Sequence, residues 1–283
     1  MIEFPEFKAP ASWRVIDFIS DLHLQGAEPA TFKAWQNYLQ TTQADAVFIL
    51  GDLFEVWVGD DVATTPAPIM APNSTGSPPG DFERQCADVL KAASHRSPLF
   101  FMHGNRDFLV GDAFLAQCGI QLLADPTVLI FGGQRWLLSH GDALCLADSD
   151  YQQFRAMVRS AKWQQDFLSK PLQQRLDLAR GLRSQSEARK TTSTDFFDVD
   201  SGAAAVWLAH AQAATLIHGH THRPADHLIH TPEAPSAAPQ NLRRIVLSDW
   251  DAGATPPRLQ VLRLDLSQAG LASRVDLAAS FKG

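Results

Sequence analysis

Five short polar motifs, each directly behind a short apolar run, constrain what this 283-residue chain can fold into. The first motif places Asp21 and His23 just after the apolar run Val15–Ile19. Short apolar runs bounded by glycine and polar residues are typical of buried strands. We therefore predict five strands, each followed by a motif rich in Asp, Asn or His. The motifs are Asp21-Leu22-His23, Gly51-Asp52, Gly104-Asn105-Arg106-Asp107, His140-Gly141-Asp142 and Gly219-His220-Thr221-His222.

Helical patterns lie between the first predicted strands. Phe32, Trp35 and Leu39 recur at helical spacing, and so do apolar residues at positions 82, 86, 89 and 90. Alternating strands and helices predict an α/β fold. In such folds ligands bind at the carboxyl ends of the strands, which is where the five motifs fall. Two later strands are predicted over residues 244–247 and 259–264.

Composition argues against several classes of protein. The chain has no stretch near the roughly 18–20 apolar residues of a membrane span, and its net charge of −7 argues against a dedicated nucleic-acid binder. Cys86, Cys118 and Cys145 follow neither a zinc-site nor a disulfide pattern, which favours a reducing cytoplasm. Residues 1–12 lack the basic and apolar regions of a signal peptide.

The segment from residue 151 to residue 190 has a different character. Its apolar residues have helical spacing, and it concentrates Arg and Lys in a chain that is acidic overall. Such a segment suits an anionic lipid surface or an anionic amphiphilic substrate. A helical hairpin packed on the core with a solvated face explains the pattern equally well, so both interpretations stay open.

The side chains of the five motifs are of the types that bind metal ions. Asp21 and His23 are two residues apart, so on a strand they share one face. Asp52 offers a carboxylate that can bridge two ions. Oxygen and nitrogen ligands without thiolate favour Mn, Fe, Zn or Co, and two such ions about 3.5–4 Å apart stabilise displacement at phosphorus. The remaining candidate ligands are Asn105, His140, His220 and His222.

The order of these motifs resembles that of the calcineurin-like metallophosphoesterase superfamily. Within it the chain resembles the UDP-2,3-diacylglucosamine pyrophosphatases (hydrolases) of lipid A biosynthesis, from about residue 13 to beyond residue 250. Two features narrow the resemblance to the lipid A enzymes: the Asn-Arg-Asp sequence at 105–107 and the helical segment at 151–190. The supporting stretches are ISDLHL at 19–24, ILGDLFEVW at 49–57, HGNRDFL at 103–109, SHGDALC at 139–145 and IHGHTHRP at 217–224.

The resemblance implies two mixed β-sheets packed face to face and flanked by helices, with a helical cap over the site that takes the acyl chains. We expect one discontinuous core domain at residues 13–150 and 195–283, the cap at 151–194 and an N-terminal extension at 1–12. Two Mn²⁺ ions per subunit are implied, and other divalent metals could replace them. Asp21, His23, Asp52 and His222 would hold one ion, and Asp52, Asn105, His140 and His220 the other.

The resemblance also implies a set of substrate contacts, and the chain follows the family pattern for these less completely. They are Asn105, Arg106, Asp148, Ser186 and His220. After Ser186 the chain departs from the family pattern, because Ser193 stands where the family has a Lys and the segment is about one residue short. We expect Lys190 to supply that charge. Asp52, Asn105 and Arg106 are the expected catalytic residues.

Arg106 indicates the kind of leaving group. Many metallophosphoesterases with this motif order have His at this position, where it can protonate an alkoxide. Arg cannot act as an acid near neutral pH, but it can grip phosphate oxygens and neutralise developing charge. A phosphate that leaves from a pyrophosphate needs no protonation, so Arg106 favours pyrophosphate cleavage. The alternative is a salt bridge from Arg106 to Asp107 or Asp112.

We therefore expect hydrolysis of UDP-2,3-diacylglucosamine at the α-phosphorus, giving UMP and 2,3-diacylglucosamine 1-phosphate. One alternative is another two-metal phosphoesterase acting on nucleotides, although a soluble substrate needs no amphipathic cap. The other is a non-catalytic scaffold, although such a protein should have lost ligands. We expect peripheral association with the cytoplasmic face of the inner membrane, and neither a nucleic acid nor a protein partner.

Overall fold

The computed structural model describes residues 3–64, 80–192, 197–229, 241–268 and 271–279, and the side chains of residues 183–192 lie outside that description. The strands are β1 Glu6–Lys8, β2 Val15–Ile19, β3 Ala46–Leu50, β4 Leu99–Met102, β5 Ile120–Leu123, β6 Thr127–Phe131, β7 Gln134–Leu138, β8 Thr215–His218, β9 Ala225–Leu228, β10 Arg243–Val246, β11 Gln260–Asp265 and β12 Ala272–Asp276. The helices are α1 Pro29–Thr41, α2 Asp61–Thr64, α3 Asp81–Ser94, α4 Asp112–Cys118, α5 Ser149–Val158, α6 Ala161–Leu168, α7 Leu172–Thr192 and α8 Ser201–Ala211.

The strands form two mixed sheets of six strands each. The first sheet has the order β1-β6-β7-β8-β10-β9, and the second has the order β12-β11-β2-β3-β4-β5. In the second sheet β2, β3, β4 and β5 run parallel. In the first sheet β7, β8 and β10 run parallel. The expected fold class is therefore confirmed.

The apolar core lies between the sheets and on their outer faces. Because side chains alternate along a strand, Phe48 of β3 enters the central core with Trp136 of β7, whereas Ile49 faces the helices. Trp35 of α1 packs in the layer that covers the second sheet. Leu208 of α8 packs in the layer that covers the first. This burial holds the strands rigidly up to the residues where the motifs begin.

Five strands end where the sequence predicts a motif. β2 and β3 have the predicted bounds, and β4, β7 and β8 agree with their apolar runs within two residues. β2, β3 and β4 are neighbours in the second sheet, and β7 and β8 are neighbours in the first. The predicted helical patterns fall in α1 and α3, and the later strands are β10 and β11.

The N-terminal segment contributes a short strand to the first sheet. β1 pairs in parallel with β6, with Phe7 opposite Leu129. The ring of Phe7 packs against that of Phe100, with centroids 4.6 Å apart, and therefore contributes to the central core. A three-residue strand with only one apolar residue gives too short a pattern to be recognised in the sequence.

Three helices, α5, α6 and α7, occupy most of the segment expected to form the cap. Asp148 precedes them and caps α5, because its carboxylate accepts a hydrogen bond from the backbone N–H of Tyr151 at 3.0 Å. No helix in the described ranges is long and apolar enough to span a membrane.

Candidate metal centre

The backbone at the strand ends is unusual. Asp21, His23, Asp52, His220 and His222 all have a positive φ, between 48° and 66°. Residues other than glycine seldom adopt this left-handed conformation, and those that do cluster at functional sites. The ligands therefore lie in turns just beyond the strands, and these turns bring their side chains into one space.

Two glycines bring the backbone close to the carboxylates. A Cβ atom on Gly104 would lie 2.1 Å from Oδ1 of Asp52, and one on Gly219 would lie 2.2 Å from Oδ2 of Asp21. Any side chain at these positions would displace a carboxylate. The glycines of the third and fifth motifs therefore serve the packing of the centre.

Three of the predicted ligands form a first group. Nε2 of His222 lies 3.3 Å from Oδ1 of Asp21 and 3.2 Å from Nε2 of His23. Asp21 is buried, whereas the two imidazoles are partly exposed. One ligand atom from each residue lies within 4.8 Å of the others, which is close enough to hold one ion.

The other predicted ligands form a second group beside the first. Oδ1 of Asn105 lies 3.0 Å from Nε2 of His140 and 2.9 Å from Nδ1 of His220. Oδ2 of Asp52 lies 3.8 Å from Nε2 of His140 and 3.8 Å from Nε2 of His23. Asp52 therefore stands between the two groups, where the sequence expects a bridging carboxylate. The structure brings all seven predicted ligands together.

The donor set fits divalent cations. Nδ1 of His140 lies 2.9 Å from the carbonyl oxygen of Leu50, and Nδ1 of His23 lies 2.9 Å from a carboxylate oxygen of Glu55. Metal-binding imidazoles commonly donate one ring N–H to such an acceptor, which leaves the lone pair of the other nitrogen for the metal. Here both Nε2 atoms point to the interior, towards carboxylate and amide oxygens.

The electrostatics of the centre favour positive charge. Burial opposes a charge on His140, but the carboxylates of Asp52 and Asp21 outweigh burial and raise the pKa of His140 to about 9. Burial alone would raise the pKa of Asp21, yet its hydrogen bond and attraction to His222 hold that pKa well below the ordinary value. The carboxylates that raise the pKa of His140 would equally attract metal ions.

Arg106 lies at the rim of the second group. Its backbone N–H donates to Oδ1 of Asp52 at 2.8 Å, and its Nη1 lies 3.4 Å from Oε1 of Glu55. Among the described residues Arg106 forms neither of the alternative salt bridges, to Asp107 or to Asp112, and pairs with Glu55 instead. The Asp107 carboxylate accepts backbone N–H groups from the second and third motif loops. Its donors are the N–H groups of Gly104, Asp52, Leu53 and Phe54.

Sequence reasoning missed the contacts of Glu55 and Asp107. Glu55 had a usable signal, since it is a lone charge in the apolar stretch from Leu53 to Trp57. Nothing in the sequence except the place of Asp107 in the third motif indicated its contacts. Its hydrogen bonds tie the second motif loop to the third and hold Asp52 beside Asn105.

The expected substrate contacts outside the cluster are more scattered. Asp148 caps α5, as described above, and lies at the start of the expected cap. Ser186 and Lys190 fall within α7, but their side chains are outside the described residues. The structure therefore brings Arg106 to the metal-binding groups. Asp148 caps the helix whose Tyr151 stacks on His220, with ring centroids 5.9 Å apart, and the side chains of Ser186 and Lys190 are outside the description.

The cap is attached to the motif loops by arginines. Arg155 of α5 donates to the buried Asp142 at 2.7 Å, and Arg159 donates to the carbonyl oxygen of Gly104 at 2.9 Å. Arg175 of α7 is only 3% exposed and reaches the carbonyl oxygen of Val58. These three arginines therefore point into the protein, so part of the basic character of the segment serves docking instead of solvent or lipid.

The sequence was compared with those of known proteins. The family model for calcineurin-like phosphoesterases matches residues 14–224. A UDP-2,3-diacylglucosamine hydrolase of Chromohalobacter salexigens is 40% identical over 255 residues, which are 86% of this chain and 95% of that protein.

Two further relatives carry the same name. That of Chromobacterium violaceum is 46% identical, with 84% of this chain and 91% of the relative covered. That of Xanthomonas campestris pv. campestris is 39% identical, with 90% and 98% covered. With its five motifs gathered at one edge of two mixed sheets, the chain belongs to the calcineurin-like phosphoesterase family.

Proposed function

We propose that this protein hydrolyses the pyrophosphate bond of UDP-2,3-diacylglucosamine in lipid A biosynthesis. The observation that carries the proposal is the 39–46% identity, over most of the chain, to proteins named for that substrate. Water attacks the α-phosphorus, and the bond from this phosphorus to the bridging oxygen breaks. The products are UMP, which gains the water oxygen, and 2,3-diacylglucosamine 1-phosphate.

The two groups of ligands support a centre of two divalent ions, for which we propose Mn²⁺. Asp21, His23, Asp52 and His222 would hold one ion, and Asp52, Asn105, His140 and His220 would hold the other. When bound, the ions supply Lewis-acid activation of water and of the phosphate group. The close approach of Asp52 to both groups supports its shared role.

Asn105, Arg106 and His220 would bind the phosphate groups. Arg106 keeps its positive charge at any physiological pH, and its planar fork matches phosphate oxygens. Charge that develops on the phosphates in the transition state would be stabilised by this guanidinium. The departing sugar phosphate needs no proton, so no general acid is required at this position.

The cap would receive the lipid part of the substrate. Leu168, Leu178 and Leu182 are large apolar side chains of α6 and α7 that stay about 40% exposed, and the last two are four residues apart, on one face of α7. We propose that this face contacts acyl chains, with Asp148, Ser186 and Lys190 near the sugar. Lys162 and Arg180 are exposed cations of the cap, each paired with an acidic residue of its own helix, and they support the proposed peripheral association with the cytoplasmic face of the inner membrane.

The test is product analysis with purified, Mn²⁺-loaded protein and UDP-2,3-diacylglucosamine in ¹⁸O-labelled water. Release of UMP carrying the label supports attack at the α-phosphorus. Label in the sugar phosphate would keep the enzyme and overturn the site of attack. Failure to cleave this substrate, with a simple phosphodiester still cleaved, would favour another phosphoesterase activity.

A further inference from the structure

The carboxylate of Glu55 contacts two functional residues at once, one with each oxygen. Oε2 lies 2.9 Å from Nδ1 of His23, and Oε1 lies 3.4 Å from Nη1 of Arg106. His23 belongs to the first metal-binding group, and Arg106 stands beside the second. One buried side chain therefore joins the metal centre to the expected phosphate-binding residue.

The backbone places Glu55 between these partners. The N–H of Glu55 donates to the carbonyl oxygen of Leu24 at 3.2 Å, so the segment after β3 runs beside the segment after β2. Two residues later, the N–H of Trp57 donates to the carbonyl oxygen of Arg106 at 3.3 Å. Glu55 is thus held between the first and third motif loops, and its side chain is 10% exposed.

The contact with His23 has a direct consequence for metal binding. A carboxylate oxygen 2.9 Å from Nδ1 favours the tautomer with its proton on that nitrogen, restrains the ring and leaves the lone pair of Nε2 on the other side. On that other side, Nε2 of His23 faces Asp52 and His222. Without Glu55, the ring could rotate and the proton could occupy either nitrogen.

The contact with Arg106 fixes a flexible side chain. A guanidinium has five N–H donors, so one ion pair orients the group and leaves donors for a phosphate. The contact is charge-assisted and mostly shielded from water, which makes it stronger than an exposed pair. Arg106 is therefore positioned for phosphate before substrate arrives.

Glu55 differs from the groups that lie beside Nδ1 of the other predicted histidine ligands. Nδ1 of His140 is held by the carbonyl oxygen of Leu50, which touches no substrate-binding residue in the described contacts. Nδ1 of His222 lies 3.8 Å from Asp249, whose other ion pair is with Arg258, away from the motifs. Among these supports, the carboxylate of Glu55 is the one that the described contacts also place beside the guanidinium of Arg106.

We propose that Glu55 is a positioning residue that sets His23 and Arg106 together, so that metal affinity and phosphate binding depend on the same carboxylate. The inference rests on the proposed function for the role of Arg106, but not for the role of His23. It assigns Glu55 no contact with substrate or metal.

The variant Glu55→Gln removes the charge and keeps the shape. Glu28→Gln is the matched control, because Glu28 is an exposed carboxylate near His23 in sequence. Mn²⁺ titration of metal-stripped protein by calorimetry should give two classes of sites in the wild type and in Glu28→Gln. In Glu55→Gln one class should weaken by about 10–100-fold while the other is unchanged.

The coupling to Arg106 is tested with UMP, the expected product. Glu55→Gln and Arg106→Gln should each weaken UMP binding and raise KM. The double variant should bind UMP no more weakly than Arg106→Gln, because residues that act through one contact are non-additive. A purely structural Glu55 would instead lower the melting temperature and leave the Mn²⁺ and UMP affinities of the folded protein unchanged.

Wild-type Mn²⁺ and UMP affinities in folded Glu55→Gln would overturn the inference. If that variant fails to fold, Glu55→Asp keeps the charge and retracts it by one methylene, and wild-type affinities there would overturn it too. If the wild type fails to cleave UDP-2,3-diacylglucosamine but Glu55→Gln still weakens Mn²⁺ binding, the proposed function fails and the positioning of His23 stands.

Discussion

Arg175 of the third cap helix forms an ion pair with Asp61, the first residue of α2, and also donates to the carbonyl oxygen of Val58. The guanidinium is buried, although Asp61 is half-exposed. The cap is therefore joined to the same stretch of chain that carries Glu55. We expect this contact to hold the cap over the site.

Replacing Arg175 with Ala should lower stability and weaken lipid binding. The carbonyl oxygen of Val58 would lose its partner, which costs about 1–3 kcal/mol for a buried polar group. We expect a higher KM for the diacylated substrate and little change for a simple soluble phosphodiester. Denaturant unfolding and steady-state kinetics check both effects. Lys91→Ala is the control, because Lys91 is an exposed cation on α3, outside the cap; equal behaviour of the two variants would contradict the role of Arg175.

Replacing Asp52 with Ala should abolish turnover. Asp52 is the carboxylate that approaches both metal-binding groups, so its loss should reduce the number of bound ions as well as the rate. Metal analysis and product release are measured on the same preparation. Asp88→Ala, an exposed change on α3, should keep full activity and metal content. Near-normal turnover in Asp52→Ala would contradict the assignment of the centre.

Replacing Arg106 with Ala should lower kcat/KM by about 10²–10³-fold, the usual loss for one donor that stabilises transition-state charge. Arg106→Lys should fall between this variant and the wild type, because Lys keeps the charge but lacks the planar fork. Both rates are measured with saturating Mn²⁺ to separate this effect from metal loss. An unchanged kcat/KM in Arg106→Ala would rule out a phosphate contact.

The ion pair between Asp198 and Arg244 should make stability depend on pH. Burial would raise the pKa of Asp198, but its hydrogen bonds to Arg244 and to the backbone of Val199 outweigh burial and lower it. A carboxyl whose folded pKa is lowered stabilises the fold above its unfolded pKa, about 3.9. That contribution is lost as the pH falls through the folded pKa.

The measurement is the difference in unfolding free energy between the wild type and Asp198→Asn. We expect it to favour the wild type at pH 7 by less than about 1 kcal/mol, since the carboxylate is partly exposed. It should shrink as the pH drops below 4. A difference that grows in acid would contradict the sign of the pKa shift.

The sequence predicted the part of the fold that surrounds the site because buried parallel strands are continuous apolar runs. β2 and β3 are such runs, and their ends located Asp21 and Asp52. Short edge strands escaped prediction because they contain too few apolar residues to form a pattern. β9 is an example: it has only four residues, and its Leu228 is 62% exposed.

The supporting residues of the site escaped prediction for a different reason. Glu55 acts on His23, and Asp107 acts on the backbone of Leu53, 54 positions away. Spacing along a chain identifies residues that share a strand or a helix face, but it carries no information on contacts between separate loops. These contacts depend on how the two sheets and their turns pack together.

The candidate ligands come from both sheets. Asp21, Asp52 and Asn105 follow strands of the second sheet, whereas His140 and His220 follow strands of the first. Ions bound among them would therefore link the first sheet to the second. The free energy of ion binding would then add to the free energy of unfolding. Removing the ions with a chelator should destabilise this edge of the protein first, so stability and activity would be lost together.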